Sequence, residues 1–217
     1  MKGGNIMRVS IHSVTDFFTN CYVVQDEGTG RTAIIDPGEL CVSLREQTER
    51  IGAEYIDYIL LTHCHLDHIG GAAELHRLTG APVVIHADDA DGLADNFING
   101  SELFGMPLAD NPSADIIVND GDSLELGDLT VKVMHTPGHT CGSVCYLVEN
   151  SVFSGDTLFR MSCGRTDLPT GSGRQIADSL KKLAALDGDR SVYPGHGEKT
   201  SLENERKRNV YINDYTD

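Results

Sequence analysis

Leu60-Leu61-Thr62-His63-Cys64-His65-Leu66-Asp67-His68 is the stretch on which the reading of this chain turns. The apolar run ahead of it, Ile56 to Leu61 with Asp57 and Tyr58 inside, predicts a buried strand. That strand stops at His63, His65, Asp67 and His68, side chains that can all bind a metal. His63 and His65 are two positions apart, so an extended or loop backbone can point both the same way. Asp67 and His68 are adjacent and do not easily share that direction, which suits them to a second ion beside the first. One histidine there would read as a satisfied polar group in a turn. Three with an aspartate read as a ligand cluster.

Further along, the same event recurs. Strands end, and a His or Asp follows at once beside Gly or Pro, at Pro137-Gly138-His139, Gly155-Asp156 and Pro194-Gly195-His196-Gly197. Glycine lets loops turn sharply and approach an ion closely. Asp36, in Asp36-Pro37-Gly38, ends an earlier strand and reads either as a turn residue or as a carboxylate supporting the ligands.

Around these loops the pattern predicts strands over Met7–His12, Cys21–Val24, Thr32–Ile35, Ala81–Ile85, Ser123–Leu126, Leu129–His135, Ser143–Val148, Val152–Ser154 and Ser191–Tyr193. Helices are predicted over Leu40–Ile51, Ile69–Leu78, Gln175–Leu186 and Ser201–Asn209, the last lying against the outside. Ala87 to Asp120 reads as one or two short helices and a surface loop, able to form one wall of a cleft. Strands followed by helices in both halves predict a layered α/β protein, two sheets inside and helices outside. No G-x-G-x-x-G follows the first strand, so a dinucleotide-binding fold fits poorly, and no Walker sequence is present.

The 217 residues suit one sizeable core, read as a single domain over 1–217. Seventeen Lys and Arg against 33 Asp and Glu leave a net charge of −16, which disfavours nucleic-acid and anionic-membrane partners. No apolar run approaches ~20 residues, and Met1 to Ser10 lacks the apolar stretch of a signal peptide, so the expected location is cytoplasmic. The six cysteines form no C-x-x-C pair and read as reduced, Cys64 as packing that faces away from its histidine neighbours. Monomer and homodimer both remain open.

Seven side chains therefore collect: His63, His65, Asp67, His68, His139, Asp156 and His196. Imidazoles with carboxylates suit Zn²⁺, Fe²⁺ or Mn²⁺. Three histidines on one ion leave a position open for water. Asp67, His68 and His196 can hold a second ion, and Asp156 can place one oxygen on each.

The string Thr62 to His68, THCHLDH, resembles the H-x-H-x-D-H signature of the metallo-β-lactamase superfamily. PGHT, SGDTLF and YPGHG match its remaining ligand motifs in the same order. The resemblance covers essentially the whole chain. It implies a four-layer αβ/βα sandwich with the site on one edge of the two sheets. It also implies that His63, His65 and His139 bind a first metal and Asp67, His68 and His196 a second, with Asp156 bridging. Two divalent ions are thus implied, Zn²⁺ first among them.

Within the superfamily the flavodiiron branch carries Glu at the position of His65, and zinc β-lactamases generally lack a carboxylate at that of Asp156. The chain is most similar to the glyoxalase II (hydroxyacylglutathione hydrolase) group, through Gly155-Asp156-Thr157-Leu158-Phe159 and Cys163-Gly164-Arg165. It looks like a short form lacking that group's C-terminal helical domain. The implied activity is hydrolysis of a small-molecule acyl thioester by a metal-bridging hydroxide, with Asp67 and Asp156 as catalytic residues. Arg165 is implied as a substrate-binding residue, ahead of Arg160 and Arg174. The alternative is a persulfide dioxygenase on the same fold, its single iron held by His63, His139 and Asp156.

Overall fold

A computed structural model describes residues 7–213; the first six residues of the segment read for a signal peptide lie outside it. Elements run in chain order as β1 (Met7–Val14), β2 (Thr19–Asp26), β3 (Thr32–Ile35), α1 (Val42–Ile51), β4 (Ile56–Leu60), α2 (Leu66–Ile69), α3 (Ala72–Thr79), β5 (Val83–His86) and β6 (Ile116–Val118). They continue as β7 (Ser123–Leu126), β8 (Leu129–His135), β9 (Val144–Val148), β10 (Ser151–Gly155), β11 (Leu158–Phe159), β12 (Ser162–Cys163), α4 (Gly173–Ala184), β13 (Ser191–Pro194), β14 (Thr200–Ser201), α5 (Leu202–Arg208) and α6 (Val210–Asn213).

Two mixed sheets form. One has the order β1-β2-β3-β4-β5-β6 and the other β14-β13-β10-β9-β8-β7. In the first, β1 to β3 are antiparallel and β3 to β6 parallel. In the second, only β10 and β13 pair in parallel among the described residues.

The layering follows from alternation along strands buried on both faces. Val23, Ile34 and Ile59 turn outward to Leu44 and Leu75 of α1 and α3. Their neighbours Tyr22, Val24, Ala33, Ile35 and Leu60 turn inward and meet Val131, Val133, Tyr146 and Phe153 of the second sheet. On that sheet's far side, Cys145 and Val152 pack against Ile176, Leu180 and Leu183 of α4. Three apolar layers therefore separate helix, sheet, sheet and helix. This is the αβ/βα sandwich expected, and burying each such Val, Leu or Ile contributes roughly 1.5–3 kcal/mol.

Several expected elements differ. The helix read over Ile69–Leu78 is two helices, α2 and α3, broken at Gly70-Gly71. A Cβ at Gly70 would stand 2.6 Å from Gly38 O, and Gly71 N donates to Pro37 O at 2.7 Å. The break lets the Asp36-Pro37-Gly38 turn press onto the ligand loop. Ala87–Asp89 and Asp91–Leu93 are short 3₁₀ turns, and the region also supplies β6, a sixth strand of the first sheet that its composition conceals. α5 does not simply lie on the outside. Leu202 and Glu205 are wholly buried, and Glu205 accepts bonds from Met161 N and Thr200 Oγ1, pinning the β11–β12 hairpin. Among the described residues no helix is long and apolar enough to cross a membrane, and all six cysteines are free.

Candidate metal centre

Ligand-type side chains gather where strands end, the edge at which α/β sheets bind ligands. β3 and β4 run parallel, so Asp36 and Thr62 emerge side by side. Asp36, at φ 52°, accepts from Thr62 N at 2.8 Å through Oδ1, and from Thr62 Oγ1 at 2.7 Å through Oδ2. His68 Nδ1 lies 3.0 Å from the same Oδ2 and donates to it, which leaves Nε2 as the free nitrogen. Of the two readings of Asp36, the supporting carboxylate is the one seen.

Thr62 Oγ1 has spent its hydrogen on Asp36, so it accepts from His63 Nδ1 at 3.0 Å. His63 Nε2 is then an acceptor, buried and without a hydrogen-bond partner. His139 Nδ1 donates to the Arg165 carbonyl at 2.8 Å, and His139 Nε2 lies 2.8 Å from His65 Nδ1. His196 Nδ1 donates to Phe17 O at 3.1 Å. His63, His68, His139 and His196 are thus each fixed by a neighbour and present the other nitrogen inward, the habit of metal-binding histidines, while His65 turns Nδ1 to the cluster and its buried Nε2 has no hydrogen-bond partner.

Ligand atoms of His63, His65 and His139 lie within 4.8 Å of one another, as do those of Asp67, His68 and His196. His63, His68 and Asp156 form a third such set that joins the two. Asp156 Oδ2 is 3.5 Å from His139 Nε2 and 3.4 Å from His196 Nε2, while Oδ1 is 3.4 Å from His68 Nε2. Asp156 therefore faces both triads, and its Oδ1 is buried with no hydrogen-bond partner. Orphaned buried acceptors at His63 and Asp156 are what a bound cation would satisfy. The donor set fits two divalent ions.

The triads differ in charge. Burial, helped by the neighbouring imidazoles, holds His63 well below the ordinary histidine range and brings His65 down to about 3. Burial also opposes a charge on His68, but Asp67, Asp156 and Asp36 outweigh it and raise His68 to about 9. Against the same burial, Asp156 and Asp67 lift His196 to about 10. Both carboxylates are held low despite burial, chiefly by His68. Without metal, His63 and His65 are neutral, while the second triad is a cluster of imidazolium and carboxylate ions.

All seven residues expected from sequence converge here. Residues with no motif also take part. Thr19 Oγ1 donates to Asp67 Oδ2 at 2.7 Å. Asp89 accepts from Cys64 N at 3.0 Å, Thr140 Oγ1 at 2.7 Å and Gly142 N at 2.7 Å, tying the His63–His65 loop to the His139 loop. Cys64 is wholly buried in the outer core, as its alternation implied. Arg165 pairs in two parallel bonds of 2.7 Å with Asp167 and is half-exposed, so its guanidinium is engaged while its carbonyl holds His139. Arg160 pairs with Glu198. His12 and His76 bond elsewhere, while His86 and His135 stack at 4.0 Å beside Asp88 as a separate group.

The family description "Metallo-beta-lactamase superfamily" matches residues 14–196. The hydroxyacylglutathione hydrolase GloC of Haemophilus influenzae is 32% identical over 211 residues, 95% of this chain and 99% of that protein. The crystal structure of the BLEG-1 B3 metallo-beta-lactamase superposes with a TM-score of 0.87 at 33% identity, covering 94% and 99% of the two chains. That of TTHA1623 in a di-iron-bound form gives 0.81 at 31%, covering 94% and 100%.

Proposed function

The chain belongs to the metallo-beta-lactamase superfamily and is a metal-dependent hydrolytic enzyme, and we propose that it cleaves small-molecule acyl thioesters in the manner of a hydroxyacylglutathione hydrolase. One observation carries the reading: Asp156 faces both triads, within 3.5 Å of His139 and of His68 and His196. The Haemophilus hydroxyacylglutathione hydrolase, matched along nearly its whole length, supports the substrate class.

His63, His65 and His139 would hold one ion, Asp67, His68 and His196 the other, and Asp156 would touch both. Such a pair supplies Lewis acidity and a water-derived nucleophile at neutral pH. Zn²⁺ is our first choice, with Fe²⁺ or Mn²⁺ as the alternative ions. Asp36, Thr62, the Arg165 carbonyl and the Phe17 carbonyl fix four of the five imidazole rings, so those donors need little reorganisation. Thr19 and His196 occupy Asp67 Oδ2, which would leave Oδ1 to accept a hydrogen bond from the attacking water and orient it. The thiolate leaving group needs no strong protein acid. For Arg165 to hold a substrate carboxylate it must exchange Asp167 for it, an exposed pair traded for another at little cost.

The test is hydrolysis of S-D-lactoylglutathione and other acyl thioesters by metal-loaded protein. Asp156→Ala and His65→Ala should each abolish turnover, and undiminished rates in both would sink the proposal. One iron per chain with oxygen uptake on glutathione persulfide would instead point to the dioxygenase.

A further inference from the structure

Beside Asp67 a groove of about 380 Å³ opens toward solvent. Its lining is mixed: the apolar side chains of Phe17, Leu66, Met106 and Leu108 stand among Thr15, Asp67 and backbone polar groups. Phe17 meets Phe104 edge-on at 5.7 Å, joining the β1–β2 loop to the long segment that follows β5. Met106 and Phe104 are exposed although large and apolar. Two exposed carboxylates, Asp16 and Glu39, stand on the rim, and no Lys, Arg or His lines the groove. Arg165, which holds His139 through its carbonyl, lies on the side of the other triad.

We propose that this groove receives the acyl arm of the substrate, and that the arm is an apolar chain without a carboxylate. The inference rests on the thioesterase reading and deepens it. A thioester lying over the centre has two arms, and a charged thiol portion finds its counterion on the Arg165 side. The acyl arm is left with the Asp67 side, where its methylenes leave water against Leu66, Met106 and Leu108. An acyl group ending in a carboxylate would meet Asp16 and Glu39 with no cation to offset them.

Succinyl and 4-methylpentanoyl groups have nearly the same shape, one ending in a carboxylate and the other in two methyls. With glutathione as the common thiol, the metal-loaded enzyme should cleave the 4-methylpentanoyl thioester at least ~10-fold more efficiently, in kcat/KM, than the succinyl one. Lengthening an unbranched acyl chain should raise kcat/KM about fourfold per methylene, the equivalent of ~0.8 kcal/mol, until the groove is full. Asp16→Lys with Glu39→Lys should narrow the succinyl deficit at least ~5-fold, and added salt should narrow it in the parent.

Binding gives a readout that needs no turnover. The chain has no tryptophan, so Phe17→Trp places a single reporter on the groove lip. N-(2-acetamidoethyl) amides of the two acyl groups, uncleavable analogues, should then bind with the same order of preference. Equal or reversed affinities, or a preference that the charge reversals leave unchanged, would overturn the inference. The binding preference without cleavage of any thioester would uphold the groove and discard the thioesterase reading.

Discussion

Asp89 is buried, lies outside every motif and holds two ligand loops at once. Its carboxylate accepts from Cys64 N, between His63 and His65, and from Thr140 Oγ1 and Gly142 N, just past His139. Asp89→Ala strands these donors, so we predict a loss of about 3 kcal/mol in urea unfolding and a drop in bound metal. Asp88→Ala, at the exposed neighbour, should change stability by under ~0.5 kcal/mol. A second prediction concerns pH. His68 and His196 are raised to about 9 and about 10 without metal, so both carry protons at pH 7 that an ion must displace. His63 is held low and His65 near 3, so neither needs to lose one. Apparent affinity at the second triad should rise with pH, up to about tenfold per unit for each proton released, and flatten above about pH 10. Affinity at the first should rise less steeply, since His63 and His65 bind without losing a proton, and metal titrations at pH 6, 7 and 8 followed by calorimetry separate the two. The difference between the seven ligand-type residues and Asp89 or Thr19 is one of legibility. Histidines beside glycine at strand ends announce themselves by type and spacing, whereas a buried carboxylate that accepts backbone donors depends on which loops meet, and no local pattern records that.

Strand ends were easy to read and helix interruptions were not. β3 and β8 fall on the expected residues because β-branched runs between turn residues leave few alternatives, and β7 does because Leu124 and Leu126 alternate with polar residues up to the Gly127-Asp128 turn. The break between α2 and α3 is invisible to periodicity, since Ile69, Ala72 and Leu75 keep helical spacing across it. Its cause is tertiary: the Asp36-Pro37-Gly38 turn packs on Gly70 and Gly71. β6 has only Ile116, Ile117 and Val118 between acidic and polar stretches, and it becomes a strand because the edge of β5 is there to pair with. The loop after β13 yields a prediction at this scale. A Cβ on Gly195 would fall 2.1 Å from Asp156 Oδ1 and 2.8 Å from the His68 ring. Gly195→Ala should therefore displace Asp156 without opening a cavity. We expect turnover to fall by at least ~100-fold and bound metal to drop, while far-UV circular dichroism stays unchanged.

In the whole molecule the centre is a seam. The first sheet and the loops at its edge bring Asp36, His63, His65, Asp67 and His68, while the loops following β8, β10 and β13 of the second bring His139, Asp156 and His196. Protein bonds also cross there: Tyr146 Oη to Leu61 O at 2.8 Å, Tyr22 Oη to Pro194 O at 2.7 Å and Val144 N to Thr62 O at 2.8 Å. These bonds and the inter-sheet core remain when metal is absent, so the metal-free chain should stay folded. It would nevertheless lose the cations that offset part of a −16 charge and that satisfy His63 and Asp156. An ion that binds only the folded state, present at ~100 times its dissociation constant, stabilises by about 2.7 kcal/mol per site, hence roughly 5 kcal/mol for two. For a chain of this size each kcal/mol moves Tm by about 2–4 °C, so stripping both ions should lower Tm by roughly 10–20 °C in a single cooperative transition. Calorimetry of zinc-loaded and chelator-treated protein measures it. Two separated transitions in the stripped protein would mean that the ions, rather than the buried layer between the sheets, join the halves. An unchanged Tm would mean that neither triad retains zinc at the concentrations used.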